Sequence, residues 1–309
     1  MNKFLIFFLI FCLFIGLDMF VLEPNLMILK NEKLFIPNWE KGLDGFKIGI
    51  VADLHIGTRF VDLDKVYQVV QKINSQNPDL IVLLGDIDAK SITYNNYKKE
   101  DVANTLKLLK AKYGTVTIMG NHDYEPPNIV REIFQRAGIP ILENQDFYIY
   151  PSSQKIRIIG FKDLWHFKSI PINIIGTKQK NIPTIVLAHN PDSFADMPNF
   201  VSLTLCGHTH GGETVFPVIG SFAVPSIYGQ RYRKGYIVEN NKHLYVSGGV
   251  ATTSRMRFLN PPEITTIELY AQNSNNKIEN TKPLKGINKN SAPIVIPKLR
   301  KIINKINNK

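Results

Sequence analysis

Apolar positions along this chain follow two rhythms. Between residues 46 and 137, short runs of β-prone residues alternate with stretches where apolar residues return every three or four places. Ile48 to Ala52, Leu80 to Leu84 and Thr115 to Met119 read as buried strands. An amphipathic stretch follows each of them. Leu63, Val66, Val69, Val70 and Ile73 share one face of a helix over 62–75, and Val102, Leu106 and Leu109 mark a second over 99–112. A third, over 127–137, opens at Pro126-Pro127 and closes at Gly138. From 139 the elements shorten to strands at 139–142, 147–150, 156–161, 184–188 and 201–205. Further strands fall at 215–218, 236–239, 244–247 and 264–270, without clear helices between the last ones. This succession predicts an α/β fold: two mixed sheets packed as a sandwich, flanked by helices.

A different pattern precedes it. Residues 4–22, FLIFFLIFCLFIGLDMFVL, are apolar except for Asp18 and are long enough to cross a bilayer as a helix. A cleaved signal peptide, the competing reading, needs a shorter apolar region and a small-residue cleavage site, and neither is evident. Phe11 is too bulky for lipoprotein-type processing at Cys12. The expected organisation is a transmembrane helix over 1–22, a linker over 23–45 with room for one edge strand, a globular domain over 46–270 and a tail over 271–309. The protein is expected in the cell membrane as a single-pass chain. Lys30, Lys33 and Lys41 after the span, against Lys3 before it, lean towards a cytoplasmic domain.

Charge changes the picture only at the tail. The formal net charge is +11; residues 271–309 hold nine Lys or Arg and one acid, Glu279, so +8 of it lies there and +3 elsewhere. This segment is expected to be mobile, ending in a basic helix from Pro297, and either drawn to an anionic membrane surface or simply solubilising. Its cations are not interleaved with stacking aromatics, so no nucleic-acid partner is expected. Two cysteines, Cys12 and Cys206, make no disulfide framework, and Cys206 reads as a small buried hydrophobe.

The candidate chemistry sits where the strands end. Asp53-Leu54-His55, Gly85-Asp86, Gly120-Asn121-His122-Asp123, His189 and Gly207-His208-Thr209-His210 each follow or close an apolar run, and five of the seven histidines lie in them. Carboxyl ends of parallel strands meet at one edge of a sheet, so these segments are expected to converge there. Glycines let the backbone turn sharply around a ligand. Two carboxylates, one amide and up to five imidazoles in one cleft suffice for two metal ions. Nitrogen and oxygen donors without thiolate suit Mn, Fe or Zn.

These five segments, in this order, resemble the pattern of the calcineurin-like metallophosphoesterases, and the likeness runs from 46 to about 270. Ser247 to Thr253 and Phe258 to Ile264 look like the membrane-associated branch containing YaeI and YkuE, related to UDP-2,3-diacylglucosamine pyrophosphatases. The resemblance implies the metallophosphoesterase fold. It also implies one divalent ion held by Asp53, His55 and His210, a second by Asn121, His189 and His208, and Asp86 shared between them. His122 would stabilise the transition state or protonate the leaving oxygen, with Asp123 holding its ring. The implied activity is hydrolysis of a phosphodiester or pyrophosphate by metal-bound hydroxide, on a phosphorylated, lipid-linked nucleotide such as UDP-2,3-diacylglucosamine. A soluble substrate, or a non-catalytic metal-binding scaffold, is the alternative. Asp88 departs from the family spacing and reads as a solvated loop acid. Asp163, beside Lys162, reads as a rim or loop acid. The apolar Leu164 to Phe167 stretch either meets lipid or packs on the sheet. Arg231, Arg233 and Lys234 read as a solvated basic turn; Arg255 and Arg257 are stronger candidates for the site.

Overall fold

The computed structural model describes residues 2–88, 97–125, 127–168, 172–179, 181–273 and 275–276. The basic tail and its expected helix lie outside the described residues from 277 onward.

Two sheets form the body. The first has the order β1-β13-β2-β3-β4, with β1 Ile28–Ile36, β2 Phe46–Val51, β3 Leu80–Leu83, β4 Thr115–Thr117 and β13 Glu263–Ala271. The second runs β11-β12-β8-β7-β6-β5, with β5 Gln145–Ile149, β6 Ile156–Gly160, β7 Thr184–Leu187, β8 Leu203–Cys206, β11 Gly235–Glu239 and β12 Lys242–Val246. A hairpin of β9 Val215–Phe216 and β10 Gly220–Ser221 stands apart from both. Strands β2, β3 and β4 are parallel, as are β6, β7, β8 and β12, so both sheets present carboxyl ends at an edge. This is the expected pair of mixed sheets flanked by helices.

Alternation along the strands explains the layers. Ile48, Ile50, Leu80, Val82 and Val116 of the first sheet meet Ile158, Ile185, Leu203 and Leu205 of the second in one buried interior. The opposite faces carry Val51, Ile81 and Leu83, covered by Val66, Val69, Ile73, Leu106, Ile133 and Phe134 of the helices Leu63–Asn74, Lys99–Leu106 and Pro127–Ala137. Asp62 starts the first of these by accepting the Lys65 N–H at 2.8 Å.

Two segments differ from their expected form, and a third, 23–45, supplies the edge strand it was expected to have room for. The second helix stops at Leu106, and the chain then turns through to Gly114 with Leu109 and Ala111 still packed against the helical layer. Residues 139–142 form only an isolated bridge, Thr117 to Ile141, because Pro140 interrupts any longer ladder. Within 23–45, β1 pairs in parallel with β13 along its whole length, Ile28 opposite Glu263 and Ile36 opposite Ala271. The first sheet therefore begins well before residue 46.

An apolar helical segment spans Lys3–Asn25, widened to a π-turn over Asp18–Leu22. Its side chains stand clear of the body as far as Phe14, while Glu23 and Pro24 are buried against it.

Candidate metal centre

All nine residues singled out by sequence lie at the carboxyl edge. Asp53 and His55 follow β2, Asp86 follows β3, Asn121 to Asp123 follow β4, His189 follows β7, and His208 and His210 follow β8. The chain leaves each strand abruptly. Asp53, His55, Asp86, His208 and His210 all adopt positive φ, between 41° and 70°, a conformation that costs a non-glycine residue about 1–3 kcal/mol. Gly120 makes one close approach possible, since a Cβ there would lie 2.2 Å from Asp86 Oδ1.

The donor atoms converge in two groups that share a carboxylate. His55 Nε2 stands 3.2 Å from His210 Nε2, and Asp53 Oδ1 lies 3.9 Å from the latter. On the other side, His189 Nε2 is 3.2 Å from both Asn121 Oδ1 and His208 Nδ1. Asp86 Oδ2 lies between, 3.4 Å from His55 Nε2 and 3.2 Å from His189 Nε2. Two donors bound to one ion at about 2.1 Å are separated by about 3.0–3.4 Å, from octahedral to tetrahedral geometry. Most of these separations fall in that range.

Protonation sharpens the point. His189 Nδ1 lies 2.7 Å from the Leu84 carbonyl and must donate to it, so Nε2, which faces two oxygens, is the nitrogen whose proton a cation would replace. Burial alone would lower His189, but the charge of Asp86 pushes it up to about 10. A positive charge is thus wanted at the spot where Nε2 meets Asp86 and Asn121. Burial holds His55 and His208 well below the usual imidazole range, in the neutral form that metals bind. Among the described residues, nothing hydrogen-bonds to the buried His208 Nε2. Burial would raise Asp86 too, yet His189 and His55 hold it well below the usual carboxylate range. The residues present therefore fit a pair of cations better than they fit one another.

Asp123 is placed differently from its expected role. Its two oxygens accept the backbone N–H groups of Asp86 at 2.7 Å, Ile87 at 2.8 Å, Asp88 at 3.2 Å and Gly120 at 2.8 Å. No hydrogen bond from it reaches the His122 ring. Burial, with the charge of Asp86, pushes its carboxyl up to about 7. Asp123 splices the turn after β3 to the turn after β4. His122 itself is half-buried, its ring 4.9 Å from that of His55 and its N–H donating to Asp86 Oδ1 at 2.8 Å.

The other candidates separate by burial. Asp88 is buried rather than solvated. Asp163 is buried and caps the turn Leu164–Phe167 by accepting the His166 N–H at 3.0 Å. That turn sets the Trp165 ring edge-on to His208 at 4.5 Å, with Trp165 half-exposed at the rim. Arg231 pairs with Glu239, and Lys234 is held by Glu263 at 2.7 Å. Arg257 is fully buried, and Arg255 is not. The Arg257 guanidinium donates to the carbonyls of His210, Gly248, Ala251 and Asn260 and to Thr252 Oγ1. Three residues went unnoticed in the sequence. Glu213 accepts the Ser254 N–H at 2.8 Å and faces His210 Nδ1 at 3.8 Å. Asn260 donates to the His210 carbonyl at 2.8 Å. Glu23, 237 positions away, accepts the Asn260 N–H. A signal existed for Asn260 alone, which lies in the run Phe258 to Ile264 already noted for its family likeness; Glu213 and Glu23 had none.

A fold of this kind, with an edge of carboxylates and imidazoles arranged in two linked groups, defines a phosphoester hydrolase that works with divalent metal. The calcineurin-like phosphoesterase pattern matches residues 46–212, and the chain belongs to that family. Phosphodiesterase YaeI of Escherichia coli (strain K12) is 34% identical, over 72% of this chain and 82% of its own length. The uncharacterized metallophosphoesterase YkuE of Bacillus subtilis (strain 168) is 31% identical, over 82% and 88%. UDP-2,3-diacylglucosamine pyrophosphatase LpxG of Chlamydia muridarum (strain MoPn / Nigg) is 23% identical, over 79% and 89%.

Proposed function

We propose that this chain is a membrane-anchored hydrolase of phosphodiesters or pyrophosphates, with two divalent ions in one centre and a substrate presented at a lipid surface. One observation carries the two-ion reading: a single oxygen, Asp86 Oδ2, is within 3.4 Å of a donor in each group. Asp53, His55 and His210 hold one ion in this reading; Asn121, His189 and His208 hold the other; Asp86 serves both. Divalent ions bound there supply Lewis acidity towards phosphoryl oxygens and lower the pKa of a coordinated water.

The chain's own residues supply orientation and a proton. Leu84 holds the His189 ring through Nδ1, and the Ala251 carbonyl faces His210 Nδ1 at 3.2 Å, so Nε2 is the nitrogen that each ring turns to the centre. Asp123 keeps Asp86 and Asn121 in register by holding the backbone of both turns. His122, the least buried of the site histidines, stands ready to protonate the departing oxygen. Trp165 and Phe167, half-exposed at the rim, offer apolar surface to a substrate that carries acyl chains.

The apolar span supports a substrate in the membrane, and the pyrophosphatase relative suggests its class: a nucleotide joined to a diacylated sugar. A soluble phosphodiester is the second reading, favoured by the phosphodiesterase relative. The test is turnover by the full chain, purified in mild detergent with Mn, on UDP-2,3-diacylglucosamine and on bis(p-nitrophenyl) phosphate. Release of UMP at a kcat/KM well above that for the soluble ester supports the lipid reading; turnover of the soluble ester alone supports the second. Fewer than one ion per chain in the purified protein would instead indicate a scaffold.

A further inference from the structure

The hairpin that follows His210 carries an apolar surface with nothing covering it among the described residues. Val218 is 95% exposed, Phe222 73%, Ile219 61% and Ile227 53%, and Leu259 beside them is 57% exposed. Isolated apolar side chains on a surface need no explanation, but five large ones on two neighbouring segments do.

Their position relative to the apolar helix says what covers them. Residues 257–259 run between the two. On one side, Arg257 N–H donates to the Met19 carbonyl at 2.9 Å, and Leu259 N–H donates to the Glu23 carboxylate at 2.8 Å. On the other, Val215 N–H donates to the Phe258 carbonyl at 2.9 Å. A single intervening segment thus links β9 to the helix at Met19 by backbone hydrogen bonds. A row of rings continues outward, Phe258 to Phe216 at 5.6 Å and Phe216 to Phe222 at 5.4 Å.

The level of the bilayer follows from length. Residues 4–22, at 1.5 Å each, extend about 28 Å, close to the roughly 30 Å of a hydrocarbon core. The whole stretch is needed to span it, and Phe20, Val21 and Leu22 remain exposed at its lower end. The edge of the hydrocarbon therefore falls at about Leu22. That is the height at which Met19 and Glu23 grip residues 257–260.

From this we infer that the β9–β10 hairpin, through Val218, Ile219 and Phe222 together with Leu259, is a second membrane contact that enters the same monolayer the helix crosses. The inference rests on the anchoring reading above. Its consequence is an orientation: the carboxyl edge faces lipid. The Asn260 side chain and the Arg257 guanidinium both hold the His210 carbonyl, so the centre lies just beneath the lipid surface and is tied to the foot of the anchor. The amino edge, where Tyr150 follows β5 and is 62% exposed, faces bulk water.

Fluorescence quenching in vesicles tests this. The full chain with Cys12→Ser, its buried Cys206 left in place, receives one further cysteine at a time: Phe7→Cys, Val218→Cys, Ile219→Cys, Phe222→Cys or Tyr150→Cys. Each is labelled with bimane and reconstituted in phosphatidylcholine–phosphatidylglycerol vesicles with or without acyl-chain-brominated lipid. Loss of emission at 218, 219 and 222, with none at 150, is the expected result. Quenching at 7 but at none of the three hairpin positions overturns the inference and leaves the anchor standing. Absence of quenching at 7 as well overturns both. Hairpin emission that responds to protein density but not to bromine would mean a second copy covers the surface, and also overturns it.

Discussion

At the amino edge of the sheets the positive-φ turn residues, Asn77, Ser152, Asn181, Asn240 and Asn241, are all exposed to solvent, and none is an acid or an imidazole. Asp79 accepts the Lys47 N–H at 2.8 Å and returns its own N–H to the Lys47 carbonyl, closing β2 onto β3. At the carboxyl edge, Asp53, His55, Asp86, His208 and His210 are buried at positive φ, and imidazole nitrogens face carboxylate and amide oxygens at 3.2–3.4 Å. The same strands thus end in a stable seam on one side and a costly one on the other. Burying polar groups that oppose one another is tolerated where something else completes them, here a cation pair. Stability and function have been assigned to opposite ends of one scaffold.

Several substitutions bear on that division, taken in falling order of effect. Asp86→Asn removes the charge shared by both groups, and turnover of a phosphodiester should fall by about a thousandfold or more, equivalent to about 4 kcal/mol. With chelator present, the variant should still unfold in one cooperative thermal transition; a lost cooperative transition by circular dichroism would show that the edge also holds the fold. Leu205→Ala, in the apolar interior between the sheets, should instead cost about 2–5 kcal/mol of stability. Its folded fraction should bind as much Mn per chain as the parent protein, measured by plasma mass spectrometry. If it loses ions in proportion to its stability, interior and edge are not separable.

Removing ions should act on the edge alone. Chelation is expected to lower the midpoint by the linkage free energy, about 3–4 kcal/mol if the ions are present at several hundred times their dissociation constant. In Asp86→Asn this response should shrink, and an equal response in both proteins would place the stabilising ions elsewhere.

The smallest effect concerns pH, well away from the centre. His243 on β12 is buried against the Tyr236 hydroxyl, and burial pushes its imidazole down to about 4 from an ordinary 6.5. The unfolded chain therefore takes up a proton that the folded chain refuses. Stability is fully present above pH 6.5 and declines as pH falls from there towards about 4. A differential scan of His243→Phe should show a flatter midpoint over that window, and an unchanged slope would mean other groups set it.

Most strands were legible because the sandwich buries one face of each and a covering helix or sheet buries the other, leaving continuous apolar runs between turn residues. The Asp and His residues were legible for a related reason: a parallel strand must deliver whatever follows it to the carboxyl edge. Asp123 was not readable in the same way. From its neighbour it looked like a support for the His122 ring, but four backbone N–H groups reach it from two different turns, and those outcompete a single imidazole. Arg257 offers a comparable lesson, since a buried guanidinium surrounded by carbonyls has no mark in a linear pattern.

Local rules thus decided the kind of element, the edge to which each candidate side chain goes and the apolar length available to cross a membrane, because periodicity and span depend only on near neighbours. Which atoms meet was left to the folded chain. Glu23 lies 237 positions from the Asn260 N–H it accepts, and Asp86 stands between histidines 134 positions apart; only packing brings such groups within 3.5 Å. The grip of the apolar helix on the loop behind His210 is of that second kind. Hydrogen bonds are short-ranged and directional, so sequence separation carries no record of them until the sheets close.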